Sequence, residues 1–259
     1  MLDDIVMRKQ GEVAAAKERL PLEDLMQRVA SHQAERSFRR ALAVPGKLSL
    51  IAELKRKSPS RGMLRERFDP VHLAQTLAEA GAAALSVLTD ETYFGGSLDF
   101  LRDAKQFTEV PVLRKDFIID PYQIYEAAFY GADAVLLIVR VLTEEMLGAC
   151  MQAADRTGLE PFVEVHAFGE LKTALNAGAH VIGINHRDLK TFTMDATLAE
   201  QLVPHVPAGK VVVAESGLQK PDDITRMKRL GVHAVLIGEA LMLAPDPAVK
   251  VRELFAGTW

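Results

Sequence analysis

The chain has 259 residues, 49% of them hydrophobic and 25% charged, with a net charge of −4. That length buries one large core and suits a single α/β barrel, while so mild an acidity argues against a nucleic-acid surface. A lone cysteine, Cys150, excludes an intrachain disulfide and a cysteine metal centre.

Taken in chain order, the first stretch, Met1 to Lys9, lacks the apolar region of a signal peptide. No run approaches the ~18 apolar residues of a membrane span, so a cytoplasmic protein is expected. Residues 1–46 read as one or two amphipathic helices with Leu22, Leu25, Met26 and Val29 on one face. Over residues 47–259 short apolar runs alternate with amphipathic segments. Strands are expected near 48–54, 84–88, 111–115, 134–139, 161–165, 180–184, 211–215 and 234–238. Helices are expected near 70–80, 98–107, 121–130, 143–157, 167–177, 195–202, 221–230 and 246–255, with start signals such as Asp69-Pro70, Asp120-Pro121 and Lys220-Pro221. Cys150 falls inside one of these helical patterns and reads as a buried thiol. Continuous runs such as Ala134-Val135-Leu136-Leu137-Ile138-Val139 suit parallel strands covered on both faces. The expected architecture is therefore a single (β/α)8 barrel over 47–259, with 1–46 as a helical extension packed across it. A doubly wound open sheet is the alternative, but no Gly-rich dinucleotide fingerprint follows the first strand.

Barrel enzymes build their sites at the C-terminal ends of the strands. Read in order, those ends carry Glu53 and Lys55, then Lys115, Glu164, Asn185 with Arg187, Glu215 with Ser216, and Gly238. Charges are costly at the ends of buried strands. Gathered in one ring they neutralise one another and shift each other's proton affinities, which is how a site obtains an acid and a base near neutral pH. The bland alternative is a structural ion-pair layer. Ser216-Gly217 and Gly238 follow the seventh and eighth strands, the recurrent phosphate position of this fold. Glu239 beside them would repel a phosphate unless its side chain points away or pairs with a basic residue.

Five segments carry a resemblance: Ile51-Ala52-Glu53-Leu54-Lys55-Arg56-Lys57-Ser58-Pro59-Ser60, Leu113-Arg114-Lys115-Asp116-Phe117, Val163-Glu164-Val165-His166, Gly183-Ile184-Asn185-His186-Arg187-Asp188-Leu189 and Ala214-Glu215-Ser216-Gly217. In this order, over about residues 47–245, the chain resembles the indole-3-glycerol phosphate synthase family. Residues 1–46 resemble that family's extension near the substrate entrance. The resemblance implies closure of 1-(2-carboxyphenylamino)-1-deoxyribulose 5-phosphate to an indole in tryptophan biosynthesis, with loss of carbon dioxide and water. It implies Lys115 as the acid, Glu164 for proton transfer, Glu53 holding the lysines in register, and Lys55 on the substrate carboxylate or as a second acid. Asn185 would complete the catalytic set. Arg187, Ser58 and Glu215 would orient substrate, Phe94, Phe117 and Leu136 would wall its aromatic ring, and Ser216, Gly217, Gly238 and Glu239 with Lys55 would hold its phosphate. No cofactor is implied, since the reaction has no redox step, and no metal. His186 departs from the small polar residue associated with its position, and His166 with His186 would leave a zinc ion without its third ligand. The expected partner is a phosphorylated small molecule, with no nucleic acid or membrane, and the expected state is a monomer or at most a weak homodimer. Two other readings remain. Another phosphosugar barrel enzyme would share the phosphate loops but not the Glu-x-Lys, Lys-Asp-Phe and Asn-x-Arg-Asp-Leu set. A non-catalytic phosphosugar-binding barrel would have no use for Lys115 and Glu164 together.

Overall fold

The computed structural model describes residues 1–30, 32 and 34–258. Its centre is a barrel of strands β1 (Ser49–Leu54), β2 (Ala84–Leu88), β3 (Val112–Lys115), β4 (Ala134–Ile138), β5 (Glu160–Val165), β6 (Val181–Asn185), β7 (Val211–Glu215) and β8 (Ala234–Ile237). Each pairs with the next in parallel, and β8 returns to β1 to close the ring. Val, Ile, Leu and Ala fill these strands because both faces are covered, and every residue of β4 and β7 is buried. The register sets the strand ends level: Leu88 pairs with Lys115, and Asn185 with Glu215.

The outer layer consists of α4 (Pro70–Glu79), α6 (Leu98–Phe107), α7 (Tyr122–Phe129), α8 (Glu144–Thr157), α9 (Phe168–Asn176), α10 (Leu198–Leu202), α11 (Pro221–Leu230) and α13 (Pro247–Leu254). The boundaries follow local chemistry. Asp69 caps α4 by accepting the His72 N–H at 3.0 Å, with Pro70 in the first turn. The helix expected over 195–202 is shorter, beginning at Leu198. There the Asp195 carboxylate takes both the Thr197 N–H and the Thr197 hydroxyl, at 2.9 and 2.7 Å, and holds a turn where a first helical turn would form. Two short helices, α5 (Glu91–Phe94) and α12 (Glu239–Leu243), lie beyond the expected pattern.

The N-terminal segment forms α1 (Leu2–Arg19), α2 (Leu22–Arg28) and α3 (Phe38–Leu42), and it reaches both ends of the barrel. At the C-terminal end, Lys9 of α1 is buried against Asp116 and Asp90, at 2.9 and 3.2 Å, in the loops after β3 and β2. Tyr122 donates its hydroxyl to the Ala16 and Leu20 carbonyls, tying α1 to α7. At the opposite end α3 plugs the barrel. Phe38 is fully buried 5.9 Å from the Phe162 ring, and Ser37 donates to Glu160 at the start of β5. The expected apolar face of α2 needs correction: Leu25 and Val29 are buried, but Met26 is 37% exposed, and α2 packs on α7 rather than over the mouth. The apolar side chains of the extension that join the barrel-interior cluster with Phe117 and Leu136 are Leu2, Ile5, Phe38 and Leu42. Among the described residues no helix is long and apolar enough to cross a membrane.

Candidate active site

One cavity opens at the C-terminal ends of the strands, and every site residue expected from the sequence lines it. Glu53 and Lys55 come from the end of β1, Lys115 from β3, Glu164 from β5, Asn185 from β6 and Glu215 from β7. Lys115 stands at the centre. Its Nζ lies 3.7 Å from Glu53, 3.7 Å from Glu164 and 3.9 Å from Glu215. Lys55 Nζ donates to the second oxygen of Glu53 at 2.6 Å. Glu53 therefore spans the two lysines.

Burial alone would neutralise such groups, so the sign of each shift shows which neighbour wins. Burial opposes the Lys115 charge, yet Glu164, Glu53 and Glu215 together hold the ammonium above the usual lysine range. Burial would likewise raise Glu53, but Lys55 and Lys115 keep it below the usual carboxylate range. Glu164 goes further, down to about 2, because Lys115, His166 and the Asn185 amide outweigh its burial. Glu215 moves the other way. Buried, and repelled by Glu164 and Glu53, its carboxyl rises well above the usual value. The mouth thus sets carboxyls of opposite shift side by side, the pairing of environments that separates an acid from a base.

Two glycines make this crowding possible. A Cβ at Gly183 would sit 2.3 Å from Glu215 Oε1 and 2.7 Å from the Phe162 ring. A Cβ at Gly238 would sit 2.3 Å from Glu53 Oε2. Gly238 is thus needed by the Glu53 carboxylate, a role the sequence reading, which gave it to phosphate, did not foresee.

The loop side of the cavity is polar. The Arg187 guanidinium donates to Ser60 at 3.2 Å and reaches Glu239 at 3.6 Å, while Arg61 meets the other Glu239 oxygen at 3.2 Å. Two arginines therefore offset the carboxylate beside the loops after β7 and β8. Asn185 accepts the Arg187 N–H at 3.0 Å and donates to Glu164 at 3.1 Å, linking the two sides of the mouth. Ser216 is held at φ +67, and its carbonyl lies 3.1 Å from the ring nitrogen of His186. The odd histidine thus fastens the loop after β7. His166 is engaged elsewhere, with Glu164 and Glu170. The apolar wall is Phe94 and Phe117, with ring centres 6.1 Å apart, and Leu136, joined by Leu88, Ile138 and Phe192.

Ser60, Arg61, His166 and Phe192 escaped the sequence reading as site residues. Arg61 carried a signal in the basic run after β1. The others are defined by contacts across the ring, which no local pattern reveals.

A family model described as indole-3-glycerol phosphate synthase matches residues 2–254. The chain is 46% identical to the indole-3-glycerol phosphate synthase of Caldanaerobacter subterraneus subsp. tengcongensis over 96% of each chain. It is 44% identical to that of Carboxydothermus hydrogenoformans over 98% of this chain and 99% of the relative. Among solved structures, a 3-hexulose-6-phosphate synthase aligns with a TM-score of 0.65 at 18% identity, covering 82% of this chain and 100% of that one. At that identity the likeness concerns the fold.

Proposed function

The chain belongs to the indole-3-glycerol phosphate synthase family, and from that premise we propose how its mouth performs the reaction. The activity is that of the family, a carboxy-lyase step of tryptophan biosynthesis. Its substrate, 1-(2-carboxyphenylamino)-1-deoxyribulose 5-phosphate, offers a phosphate, a ribulose carbonyl and an aromatic carboxylate. The cavity has a counterpart for each.

The loops after β7 and β8, with Ser216, Gly217, Gly238 and Glu239, take the phosphate through backbone N–H groups, and Lys55 adds charge. Arg61 and Arg187 remove the repulsion that Glu239 would otherwise exert. The aromatic ring lies against Phe94, Phe117 and Leu136. Arg187, Ser58 and Glu215 orient the chain between these two ends.

Ring closure forms a bond between the aromatic carbon bearing the carboxylate and the ribulose carbonyl carbon. Negative charge develops on the carbonyl oxygen, and Lys115 stabilises and protonates it. An ammonium held above its ordinary range gives up its proton only as that charge appears, which suits an acid used late in the step. Carbon dioxide then leaves and its bonding pair restores the aromatic ring. Lys55, freed from the substrate carboxylate, supplies the proton on which hydroxide leaves as water. Ionised Glu164 takes the proton released as the indole double bond forms, and Glu53 keeps both lysines in place. Asn185 orients Glu164. The observation that carries the reading is Lys115 encircled by Glu53, Glu164 and Glu215 at the mouth of a cavity that also reaches the loops after β7 and β8.

The test is indole fluorescence on mixing substrate with the full chain, without metal or nucleotide. Turnover is expected, and Glu164→Gln should lower kcat by about 10²-fold with KM nearly unchanged. A loss confined to KM would make Glu164 a binding residue.

A further inference from the structure

The two oxygens of Glu164 have different surroundings. Oε1 accepts the Asn185 amide at 3.1 Å and lies 3.2 Å from Nε2 of His166, an ion-pair contact without hydrogen-bond geometry, since that nitrogen has no hydrogen-bond partner among the described residues. Oε2 has no hydrogen-bond partner among the described residues, and it faces Lys115 at 3.7 Å. Both oxygens are buried, but one is hydrogen-bonded and the other is not.

His166 is itself held from behind. Its backbone N–H donates to Glu170 at 2.6 Å, and its Nδ1 lies 3.3 Å from the same oxygen. The other Glu170 oxygen accepts from Arg140 at 2.8 Å, and Arg140 also pairs with Asp188 in the loop after β6. The imidazole, 2% exposed, therefore sits between a carboxylate of β5 that lines the cavity and a carboxylate of α9. An imidazole fixed by a carboxylate on one side and aimed at a reacting group on the other is a recurrent way of orienting a catalytic group.

We propose that His166 is a positioning residue for the reaction: its ring, backed by Glu170, holds Oε1 of Glu164 by close ion-pair contact and leaves Oε2 as the proton-accepting oxygen. This rests on Glu164 being the proton-transfer residue. The charge state is consistent with the role, since burial would strip the proton from His166 but Glu164 and Glu170 hold it, raising the ring to about 9. The groups facing Glu164 are Lys115, Glu53, Glu215 and His166, and those facing His166 are Glu164, Glu170 and Glu215, with Arg140 behind Glu170. Lys115 is already divided among three carboxylates. Removing the imidazolium leaves that shared cation as the main charge opposing the burial of Glu164, so its proton affinity rises.

The experiment is the pH dependence of kcat for the full chain, its His166→Leu and His166→Gln variants, and Glu170→Gln. In the parent, kcat should stay flat on the acid side down to the pH of unfolding, because Glu164 is ionised throughout. In His166→Leu an acid limb should enter the accessible range, displaced upward by about one pH unit or more, and plateau kcat should fall about 10-fold with KM nearly unchanged. His166→Gln, which keeps a neutral donor, should recover part of the plateau but retain the displaced limb. Glu170→Gln removes one of the two carboxylates that keep the ring charged, so its alkaline limb should move down toward neutrality. A lower plateau and melting temperature with no displacement of either limb in any variant would make His166 merely structural and overturn the proposal. Should Glu164→Gln keep parental kcat, the proton-transfer reading itself fails, whatever the His166 profiles show.

Discussion

The two ends of the barrel both bury charge, but they treat it differently. At the closed end, Asp133 accepts Lys105 at 2.8 Å, the Arg36 N–H at 3.3 Å and the Val112 N–H at 2.9 Å, so both its oxygens are occupied. Glu160 is likewise taken by the Ser37 hydroxyl and the Arg39 N–H. At the mouth, Lys115 is near three carboxylates yet no closer than 3.7 Å to any, and Glu164 Oε2 and Glu215 Oε1 have no hydrogen-bond partner among the described residues. Buried charge alone therefore does not mark a site. Buried charge left incompletely satisfied, and facing a cavity, does.

If the closed end serves only folding, damage there should cost stability and spare turnover. Phe38→Ala, which empties the plug over Phe162, should destabilise the chain by about 3–5 kcal/mol. Assayed well below its melting temperature, its kcat should match that of the parent, and a large loss in kcat would show the two ends to be coupled. The mouth should behave in the opposite sense. A carboxyl whose folded-state value is raised, as Glu215 is, costs stability once the pH exceeds its unfolded value. Glu215→Gln keeps the shape of the protonated group and removes that cost, so at pH 8 it should melt roughly 2 °C or more above the parent. The difference should vanish below about pH 4, where both states are protonated. Scanning calorimetry across this range checks the sign, and a variant that melts lower at pH 8 would place a needed charge on Glu215.

Much of this was legible because barrel strands are continuous apolar runs with chemistry at one end. Residues such as Lys115, Glu164 and Glu215 announce themselves as charges closing a run of Val, Ile and Leu. The strand-end rule offered Ser216, Gly217 and Gly238 for phosphate, resemblance added the expected ring wall, and these residues line one cavity. Hidden were the links between elements distant in sequence. Nothing in the local pattern around Lys9 shows its partners, yet it is buried against Asp90 and Asp116. Met26 fits an apolar stripe that the packing of α2 turns outward. His166 looks like half of a metal pair until its two carboxylates are seen on either side. Gly238 shows a loop glycine and conceals the Glu53 carboxylate its missing Cβ admits.

The most direct measurement compares two lysines of similar exposure at opposite ends of the barrel. Lys115 and Lys105 side chains are 16% and 14% exposed, and each faces buried carboxylate. With both variants assayed for kcat and melting temperature, Lys115→Met should lose about 10²-fold or more in kcat. Lys105→Met should keep kcat within about 2-fold while melting below the parent, because it leaves Asp133 short of its cation. Parental kcat in Lys115→Met, or equal losses in the two variants, would contradict the assignment of the chemistry to the mouth.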